Sequence, residues 1–370
     1  MRIYVIAGEA SGDLHGANLL KALKRLDDGL EVRAWGGDRM EAQGAHLVRH
    51  FRDLAFMGFA EVVRNLRTIL DNIAFCKRDI LAWAPDAVVL IDYPGFNLRI
   101  AEFCHQHGIK VFYYISPQVW AWKKGRVRTI RKVVDRMFVI LPFEKDWYAQ
   151  HGMEVDFVGH PLLDAIEEEG RKPLAPLPGD DGRPVVAVLP GSRRQEIAGM
   201  LPIMLRMVRH FPSHRFVVGA APSVDKEFLS ELIGDSGVSV VEGRTYDLIR
   251  SADAAIVTSG TATLETALFG VPEVVCYKGS RVNVAIARWL VKVPFISLVN
   301  LIMGEEVVRE LIQDDLNEKE LRFELDRLLN DEAYRRKMRS DLADLLHRLG
   351  GPGASATTAS LMWKSLHDKG

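Results

Sequence analysis

The sequence predicts an α/β protein built from two doubly wound domains that face a cleft. Short β-branched runs alternate with helix-length segments along most of the 370 residues, and this alternation is typical of parallel sheets covered on both faces by helices. The alternation stops once, at GRKPLAPLPGDDGRP (residues 170–184), where proline, glycine and charge indicate a linker. A length of 370 residues also favours two domains, at roughly 100–200 residues per domain.

The predicted strands divide between the two halves of the chain. They are Ile3–Ala7, Val32–Trp35, Ala87–Ile91, Lys110–Ile115 and Met137–Ile140 in the first half, and Val185–Leu189, Phe216–Gly219, Val238–Val241, Ala255–Val257 and Val274–Tyr277 in the second. We therefore expect Rossmann-like domains at residues 1–170 and 184–348, and a helical tail at 349–370 that crosses back onto the first domain. Ligands bind such sheets beyond the carboxyl ends of the strands, so the loops after the strands are the candidate sites.

Composition excludes several classes of protein. The formal net charge of −1 argues against a general nucleic-acid binder, whose affinity depends on massed lysine and arginine. The cysteines Cys76, Cys104 and Cys276 show neither a metal-binding spacing nor a disulfide framework, which favours a reducing cytosol. No apolar run resembles a secretory signal or approaches the ~20 residues that span a bilayer. We expect a soluble, cytoplasmic protein that can still touch a membrane surface.

The loop after Val185–Leu189 has the chemistry of an anion site. Gly191 lets backbone N–H groups approach an anion, Ser192 can donate or cap, and Arg193 offers a bidentate donor. The alternative is an ordinary turn that Ser192 caps, with a solvated arginine.

The segment 255–275 is the richer candidate. Its strand ends at Ser259 and Gly260, and a helix then begins at Thr261 and carries Glu265 about one turn later. Hydroxyl and N–H groups at a helix N-terminus suit a diphosphate, and a carboxylate one turn further can accept both hydroxyls of a ribose. The alternative is a simple capping motif with a surface acid.

Other polar residues are candidates on weaker grounds. The stretch SLVNLIMGEEVVRELIQDD supplies Asn300, Glu310 and Gln313, whose alternative is routine polarity on a helix surface. The first loop, GEASGDLHG (residues 8–16), follows a strand but is neither GxGxxG nor a P-loop. It carries carboxylates, a hydroxyl and an imidazole, and its glycines allow the turn and a close approach.

Together these motifs resemble the lipid-A-disaccharide synthase family, which has the GT-B glycosyltransferase fold. The resemblance rests on AGEASGDLHGA, PDAVVLIDYPGFN, YYISPQVWAWKKGRV, LPFEKDWY, FVGHPLLD, LPGSRRQE, SGTATLE and SLVNL…ELIQ, in that order over nearly the whole chain. It implies an inverting hexosyltransferase of lipid A biosynthesis. The implied donor is UDP-2,3-diacylglucosamine and the acceptor is 2,3-diacylglucosamine 1-phosphate; the products are a β-1,6-linked disaccharide 1-phosphate and UDP.

The resemblance also implies roles for the first half of the chain, which would present the acceptor. Asp92, directly after Ala87–Ile91, is the first choice of general base, with Asp13 and His15 as rivals. The alternatives are that Asp92 only forms a turn and that Asp13 only caps the first helix. The residues expected to line the acceptor side are Glu9, Ser11, Gly12 and Asn97.

The second half would hold the UDP-sugar. Ser192, Arg193 and the helix start at Gly260–Thr261 would stabilise the departing diphosphate. No acidic pair suited to Mg²⁺ stands in a strand context, so we expect no metal and no other cofactor. Direct in-line displacement needs no covalent nucleophile, and no Ser-His-Asp signature is present.

Acylated substrates require access to a membrane. The segment 53–75 places apolar side chains beside arginines, a combination that suits interfacial binding; its members are Phe56, Met57, Phe59, Val62, Arg64, Leu66 and Arg67. The basic run VWAWKKGRVRTIRK (residues 119–132) could meet anionic headgroups or the acceptor phosphate. The alternative for the first segment is packing into the core of the first domain, and the alternative for the basic run is a solvated helix face behind two core tryptophans. We expect peripheral association with the inner-membrane surface and no nucleic-acid partner, while the sequence leaves a homodimer open.

Two other functions stay open at this point. A UDP-N-acetylglucosamine 2-epimerase-like enzyme would share the fold and a nucleotide pocket, but it would act on a water-soluble UDP-sugar without an acceptor. A non-catalytic, two-lobed nucleotide- or sugar-binding protein would need no base, and the carboxylate-rich loops argue against it.

Overall fold

The computed structural model describes residues 1–54, 66–121, 125–221, 224–279 and 293–367, without the side chains of Leu54 and Leu66. These residues form two compact units. The first comprises Met1–Asp164 and the C-terminal residues from Gly351, and the second comprises Ala165–Gly350. Both units are Rossmann-like α/β sandwiches, which confirms the predicted fold class.

The described part of the first unit contains a parallel sheet of seven strands. They are β1 (Arg2–Ala7), β2 (Glu31–Gly36), β3 (His46–His50), β4 (Ala87–Ile91), β5 (Lys110–Tyr114), β6 (Arg136–Val139) and β7 (Asp156–Phe157). The strand order is β3-β2-β1-β4-β5-β6-β7. The central strands β1 and β4 are almost wholly apolar and buried on both faces, as expected where helices cover a parallel sheet.

Helices cover this sheet on both faces. In chain order they are α1 (Ala10–Lys24), α2 (Asp38–Ala42), α3 (Leu66–Trp83), α4 (Pro94–Gln106), α5 (Arg126–Val133), α6 (Pro142–Gln150) and α7 (Leu162–Gly170), and a 3₁₀ turn covers Phe51–Leu54. One core contains Trp35, Leu90 and Tyr113, and the opposite core contains Ala7, Ile91 and Tyr114. Alternate residues of each strand therefore serve the two faces.

The second unit repeats the same architecture. Six parallel strands lie in its described part: β8 (Val185–Leu189), β9 (Arg215–Ala220), β10 (Ser239–Glu242), β11 (Ala254–Thr258), β12 (Glu273–Tyr277) and β13 (Arg309–Ile312). Its helices are α8 (Arg194–Leu205), α9 (Lys226–Ile233), α10 (Thr245–Arg250), α11 (Thr261–Leu268), α12 (Leu298–Met303), α13 (Glu318–Asn330) and α14 (Glu332–Arg348), with a 3₁₀ turn at Arg206–Arg209. The strand order is β10-β9-β8-β11-β12-β13.

The strand order fixes where each unit can bind a ligand. In both sheets the order reverses between the first and fourth strands, that is, between β1 and β4 and between β8 and β11. A crevice opens at such a switch point beyond the carboxyl ends of the strands. The loops after these four strands, together with the helices that follow the loops, contain most of the predicted substrate-site residues.

The C-terminal helix α15 (Ala354–His367) belongs to the first unit and packs against α1, so the prediction that the tail crosses back is confirmed. Asp164 caps this helix, because its carboxylate accepts from the backbone N–H groups of Gly353 and Ser355. The first unit ends at Asp164, earlier than the predicted end at residue 170, and α7 continues across this boundary.

The sequence prediction misses β3, β7 and β13. Each of them is the edge strand of its sheet, and such strands lack the continuous apolar run that marks a central parallel strand. No helix in the described residues is long and apolar enough to span a membrane.

Candidate active site

The turn between β4 and α4 holds the predicted base in an unusual backbone conformation. Asp92 and Tyr93 both adopt the left-handed region, with φ of +43° and +49°. A non-glycine residue in this region costs about 1–2 kcal/mol, and such strain persists only where the surroundings enforce it. The backbone of this loop is therefore held by the fold at the β1/β4 switch point.

Two buried side chains hold the Asp92 backbone. The Tyr113 hydroxyl donates to the Asp92 carbonyl at 2.7 Å, and the Asn97 side-chain amide donates to the same oxygen at 2.7 Å. Asn97 also donates to the carbonyl of Ile91 at 3.2 Å. The sequence predicts that Asn97 lines the acceptor side; this is wrong for its side chain, which is fully buried and positions Asp92 instead.

The Asp92 side chain is suited to proton transfer near neutral pH. The residue as a whole is exposed, but partial loss of hydration at its carboxyl and, second, the nearby Glu9 carboxylate raise its pKa to about 6, against the opposing effect of the Tyr93 N–H. A base with a pKa close to the working pH is both deprotonated and able to take a proton.

Asp13 is another candidate for the base, but its carboxylate is hydrogen-bonded to backbone N–H groups. Its residue is only 3% exposed, and its carboxylate accepts from the N–H groups of Gly37 at 2.7 Å, Arg39 at 3.1 Å and Met40 at 3.1 Å. These are the first N–H groups of α2, which otherwise has no side-chain cap. The prediction that Asp13 is a candidate base is therefore corrected: it caps α2.

His15, the other rival, is buried on α1. Burial lowers its pKa to about 4. His160 lies near enough for its own pKa to fall to about 3, through burial and the proximity of His15. Within the described residues, Nδ1 of His15 has no hydrogen-bond partner. Both shifts favour the neutral imidazole at pH 7, and no pattern in the sequence predicts that His160 lies beside His15.

The first loop presents its polar groups around the start of α1. Glu9 and Ser11 are exposed, and Glu9 is the N-cap of α1 without a side-chain capping bond. A Cβ on Gly8 would lie 2.4 Å from Cγ of Tyr93, and one on Gly12 would lie 2.9 Å from Cβ of Ala7. Glycine is therefore required where α1 approaches the β4–α4 turn and its own strand.

The loop after β8 combines a glycine in the left-handed region with exposed side chains that can donate hydrogen bonds. Gly191 has φ of +92°, a conformation that favours glycine, and a Cβ there would come within 3.2 Å of Thr258 on β11. Ser192 and Arg193 are exposed. Arg193 forms an ion pair with Glu196 at 3.0 Å, which orients its guanidinium beside the start of α8.

The helix start after β11 presents backbone N–H groups of exposed residues at the same switch point. Gly260 is the N-cap of α11 without a side-chain capping bond, and Gly260 and Thr261 are exposed. The Ser259 hydroxyl donates to the Ile296 carbonyl at 3.3 Å. The first N–H groups of a helix form an anion site with the favourable end of its dipole.

Glu265 lies one turn into α11 and is largely withdrawn from water. Burial raises its pKa, and the Tyr246 hydroxyl, which donates to its Oε1 at 3.1 Å, opposes that shift. The carboxylate is thus oriented by a side chain from α10. The sequence analysis does not identify Tyr246, because the residue stands in a stretch without a recognisable motif.

Asn300 and Glu310 are engaged with the protein itself. Asn300 is fully buried: its Oδ1 accepts from Val307 and Val308, and its amide donates to the Val308 carbonyl. Glu310 accepts from the N–H groups of Ile296 and Ser297 at 2.9 and 3.0 Å. The prediction that the Asn300 side chain contacts the donor is corrected: it fixes the ends of the α12–β13 connection.

Gln313 follows β13 in a left-handed conformation, with φ of +58°. Its side-chain amide donates to the carbonyl of Gly279 at 3.1 Å, and its N–H bonds to the carbonyl of Tyr277. It therefore ties together the carboxyl ends of β12 and β13.

Five of the seven residues predicted to contact a membrane lie outside the described residues. Phe56, Met57, Phe59, Val62 and Arg64 are among those not described; Leu66 begins α3, and Arg67 is exposed on it.

The basic run beyond β5 is described in part. Trp120 is 8% exposed and donates to Glu144 at 3.2 Å, while Trp122, Lys123 and Lys124 are not described. Burial raises the pKa of Glu144 to about 7, and hydrogen bonds from Leu141, Ile140, Trp120 and Ser116 oppose the shift. The core alternative is therefore correct for Trp120.

Across the described ranges, no group of three or more His, Cys, Asp or Glu side chains could hold a metal ion.

Comparisons with known proteins agree on one family. The family model described as lipid-A-disaccharide synthetase matches residues 3–362. Lipid-A-disaccharide synthase from Syntrophus aciditrophicus (strain SB) is 42% identical over 378 residues, covering 96% of this chain and 96% of the relative. The enzyme of the same name from Geobacter sulfurreducens is 42% identical over 373 residues, covering 99% and 97%.

Solved structures share the fold at low identity. A putative UDP-N-acetylglucosamine 2-epimerase from Listeria monocytogenes aligns with a TM-score of 0.69 and 14% identity, over 100% of this chain and 97% of that one. The kitacinnamycin glycosyltransferase aligns with a TM-score of 0.66 and 15% identity, over 99% of each chain. These similarities show the fold alone.

Proposed function

The chain belongs to the lipid-A-disaccharide synthase family, and we propose that it catalyses the reaction named by that family. It transfers a 2,3-diacylglucosaminyl group from UDP to the 6-hydroxyl of 2,3-diacylglucosamine 1-phosphate. The products are UDP and the β-1,6-linked disaccharide 1-phosphate. The observation that carries this proposal is the match to the family over residues 3–362. The epimerase-like alternative has only a similarity of fold at 14% identity and is not favoured.

The second unit is assigned the donor. The exposed N–H groups at Gly260 and Thr261, together with Ser192 and the Arg193 guanidinium, would bind the diphosphate. The Glu265 carboxylate, oriented by Tyr246, would accept from the ribose hydroxyls. These groups stabilise the negative charge that grows on UDP as the anomeric C–O bond breaks.

The first unit is assigned the acceptor and the base. Asp92 would take the proton of the acceptor hydroxyl while that oxygen attacks the anomeric carbon. The C–O bond to the diphosphate breaks at the same time, and UDP leaves with the bonding electron pair. One displacement inverts the anomeric configuration and requires no covalent intermediate. Glu9 supports this role, because its charge helps to raise the pKa of Asp92 to about 6.

We propose that the reaction requires no metal ion. The amide groups at the start of α11 and the Arg193 guanidinium support this proposal. They would stabilise the negative charge of the leaving diphosphate, which is the role of a divalent cation in metal-dependent enzymes. EDTA is expected to leave turnover unchanged, and a loss of activity restored by Mg²⁺ would contradict this part of the proposal.

We also propose that the protein works at the surface of the inner membrane, where acylated sugars reside. Leu70 and Leu81, on α3, are 50% and 47% exposed, and Arg67 and Arg78 are exposed on the same helix. Exposed apolar side chains beside arginines favour an anionic interface. Vesicles with anionic lipid should retain the protein, whereas Leu70→Ser with Leu81→Ser should weaken retention.

Product analysis tests the reaction. Purified protein is incubated with both lipid sugars, and the products are identified by mass spectrometry. We expect UDP and a tetra-acylated disaccharide monophosphate, formed by the wild type and not by Asp92→Asn, which should retain UDP binding. Absence of the disaccharide, or turnover of water-soluble UDP-N-acetylglucosamine without an acceptor, would contradict the proposal.

A further inference from the structure

Two side chains donate hydrogen bonds to the backbone carbonyl oxygen of Asp92, the residue that carries the proposed base. The Tyr113 hydroxyl and the Asn97 amide each lie 2.7 Å from the carbonyl oxygen of Asp92. A carbonyl oxygen has two lone pairs, so these two bonds fix its direction. We call Tyr113 and Asn97 the carbonyl clamp.

The Tyr113 hydroxyl serves no evident packing purpose. Tyr113 is fully buried in the apolar core that contains Trp35, Leu90 and Phe96, where phenylalanine would fill nearly the same volume. Burying a hydroxyl is costly unless it forms a hydrogen bond. Its acceptor is the backbone of the residue that carries the proposed base, and not another core group.

The clamp acts on a backbone that would otherwise relax. Asp92 and Tyr93 are consecutive left-handed residues, a backbone conformation that is strained for residues other than glycine. β4 and β5 pair in register, Leu90 with Tyr113 and Ile91 with Tyr114. The Tyr113 side chain therefore comes from the strand next to β4, close to the turn that follows Ile91. The Asp92 N–H bonds to the Tyr114 carbonyl at 3.3 Å. Both strands therefore hold the turn.

We infer that Tyr113 and Asn97 are positioning residues for the transfer reaction: by fixing the Asp92 carbonyl they hold its carboxylate in the orientation that receives the acceptor proton. This inference rests on the proposed function, in which Asp92 is the base. In the described residues, Glu9 at the start of α1 acts on the Asp92 carboxyl through its charge, the Tyr93 N–H donates a hydrogen bond to that carboxyl, and Tyr113 on β5 is itself affected by the charge of Asp92. Neither clamp residue touches substrate in this scheme.

The variant Tyr113→Phe tests the inference because it removes one oxygen atom and keeps the core filled. We expect KM to stay within about twofold and kcat to fall about tenfold, the effect of one lost hydrogen bond on a positioned group. The acid limb of the kcat/KM profile should also move to lower pH, by about one unit. A relaxed turn returns the carboxylate to water and away from Glu9.

Tyr4→Phe is the matched control. Tyr4 is a fully buried tyrosine on the same face of the sheet, and its hydroxyl donates to Asp79 at 2.8 Å and accepts from Trp35 at 2.8 Å. Removing that hydroxyl should lower the melting temperature without moving the acid limb. If Tyr113→Phe behaves like Tyr4→Phe, or leaves kcat and the acid limb unchanged, the inference is overturned.

A titration separates this inference from the reaction itself. The Asp92 carboxyl is followed by carbon-13 NMR in the unliganded protein, with Asp92→Asn identifying its signal. We expect its pKa to be lower in Tyr113→Phe than in the wild type or Tyr4→Phe, and equal values would overturn the clamp. Should Tyr113→Phe fail to fold, Asn97→Ser removes the other donor and must give the same downward change. A wild type that titrates as expected but forms no disaccharide would refute the proposed function and leave the clamp intact.

Discussion

The side-chain amide of Asn300 donates to the carboxylate of Glu310 at 2.9 Å, so two residues of the motif SLVNL…ELIQ bind each other. Glu310 also accepts from the N–H groups of Ile296 and Ser297. The Ile296 carbonyl in turn receives the Ser259 hydroxyl. Through these hydrogen bonds the motif supports the loop at the start of α11.

Glu310→Gln should destabilise the second unit. A glutamine can turn only one oxygen toward the three N–H donors, and its amide adds a donor that competes with them. We expect the free energy of unfolding to fall by about 1–3 kcal/mol, because the buried Ser297 and Asn300 donors lose part of their acceptor, and the KM for the UDP-sugar to rise. Urea denaturation measures the first effect. Glu306→Gln, whose carboxylate is exposed and pairs with Arg309, should change neither quantity; equal stability of the two variants would contradict the support role.

Asp13→Asn should reduce stability rather than chemistry. Its carboxylate accepts three N–H groups at the start of α2, and losing part of this cap should cost about 1–2 kcal/mol. Thermal unfolding measures the loss, and kcat is then compared per mole of folded protein. Asp38→Asn, an exposed acid on α2, serves as the control. Abolished turnover at unchanged melting temperature would restore Asp13 as a candidate base.

Glu9→Gln should move the pH dependence of the reaction. The pKa of Asp92 is raised to about 6 by loss of hydration and then by the charge of Glu9. Removing that charge lowers the pKa, so the limb on which activity falls with decreasing pH should lie at lower pH in the variant. The kcat/KM profile between pH 4.5 and 8, a range of about two units around the pKa, measures it. Glu102→Gln, which is exposed on α4, should leave the limb in place, and an unmoved limb in Glu9→Gln would contradict the coupling.

Glu273→Met should stabilise the protein, and more so at high pH. Glu273 is fully buried at the start of β12, and neither carboxyl oxygen has a hydrogen-bond partner within the described ranges. Burial raises its pKa well above the ordinary value, so in the folded state it is protonated at pH values where the unfolded chain has released the proton. Wild-type stability therefore falls as pH rises above the unfolded value of about 4.3.

A methionine of similar volume removes this penalty, and we expect a gain of about 1–3 kcal/mol. Urea denaturation at pH 5 and pH 8 should show the larger gain at about pH 8. A gain that is equal at both values, or larger at the lower one, would contradict a protonated Glu273 in the fold.

The sequence predicts the central strands well because burial on both faces demands continuous apolar runs. Ala87–Ile91 and Val185–Leu189 are predicted with the bounds that the structure has. The strand at Arg309–Ile312 is missed, because two charged residues precede two apolar ones in RELI, which therefore lacks the continuous apolar run of a central strand and also fits a helix surface. For that reason the sequence predicts that Glu310 lies on a helix surface or contacts the ligand.

The candidate site could be located from sequence more reliably than its roles could be assigned. The loops after β1, β4, β8 and β11 follow directly from strand-helix alternation. Whether a polar side chain in such a loop faces a ligand or caps a backbone depends on residues distant in sequence. Asp13 binds N–H groups more than 20 residues away, and the Asp92 carbonyl receives the hydroxyl of Tyr113 from the next strand. Neither contact leaves a local signal.

We propose that the second unit binds the nucleotide and that the first unit supplies the base. A crystal structure of the wild-type protein with bound UDP is the sharpest test of this division. We expect the diphosphate within hydrogen-bonding distance of the Gly260 and Thr261 N–H groups, and the ribose hydroxyls on Glu265. A nucleotide bound instead against residues 8–16, with the start of α11 unengaged, would contradict it.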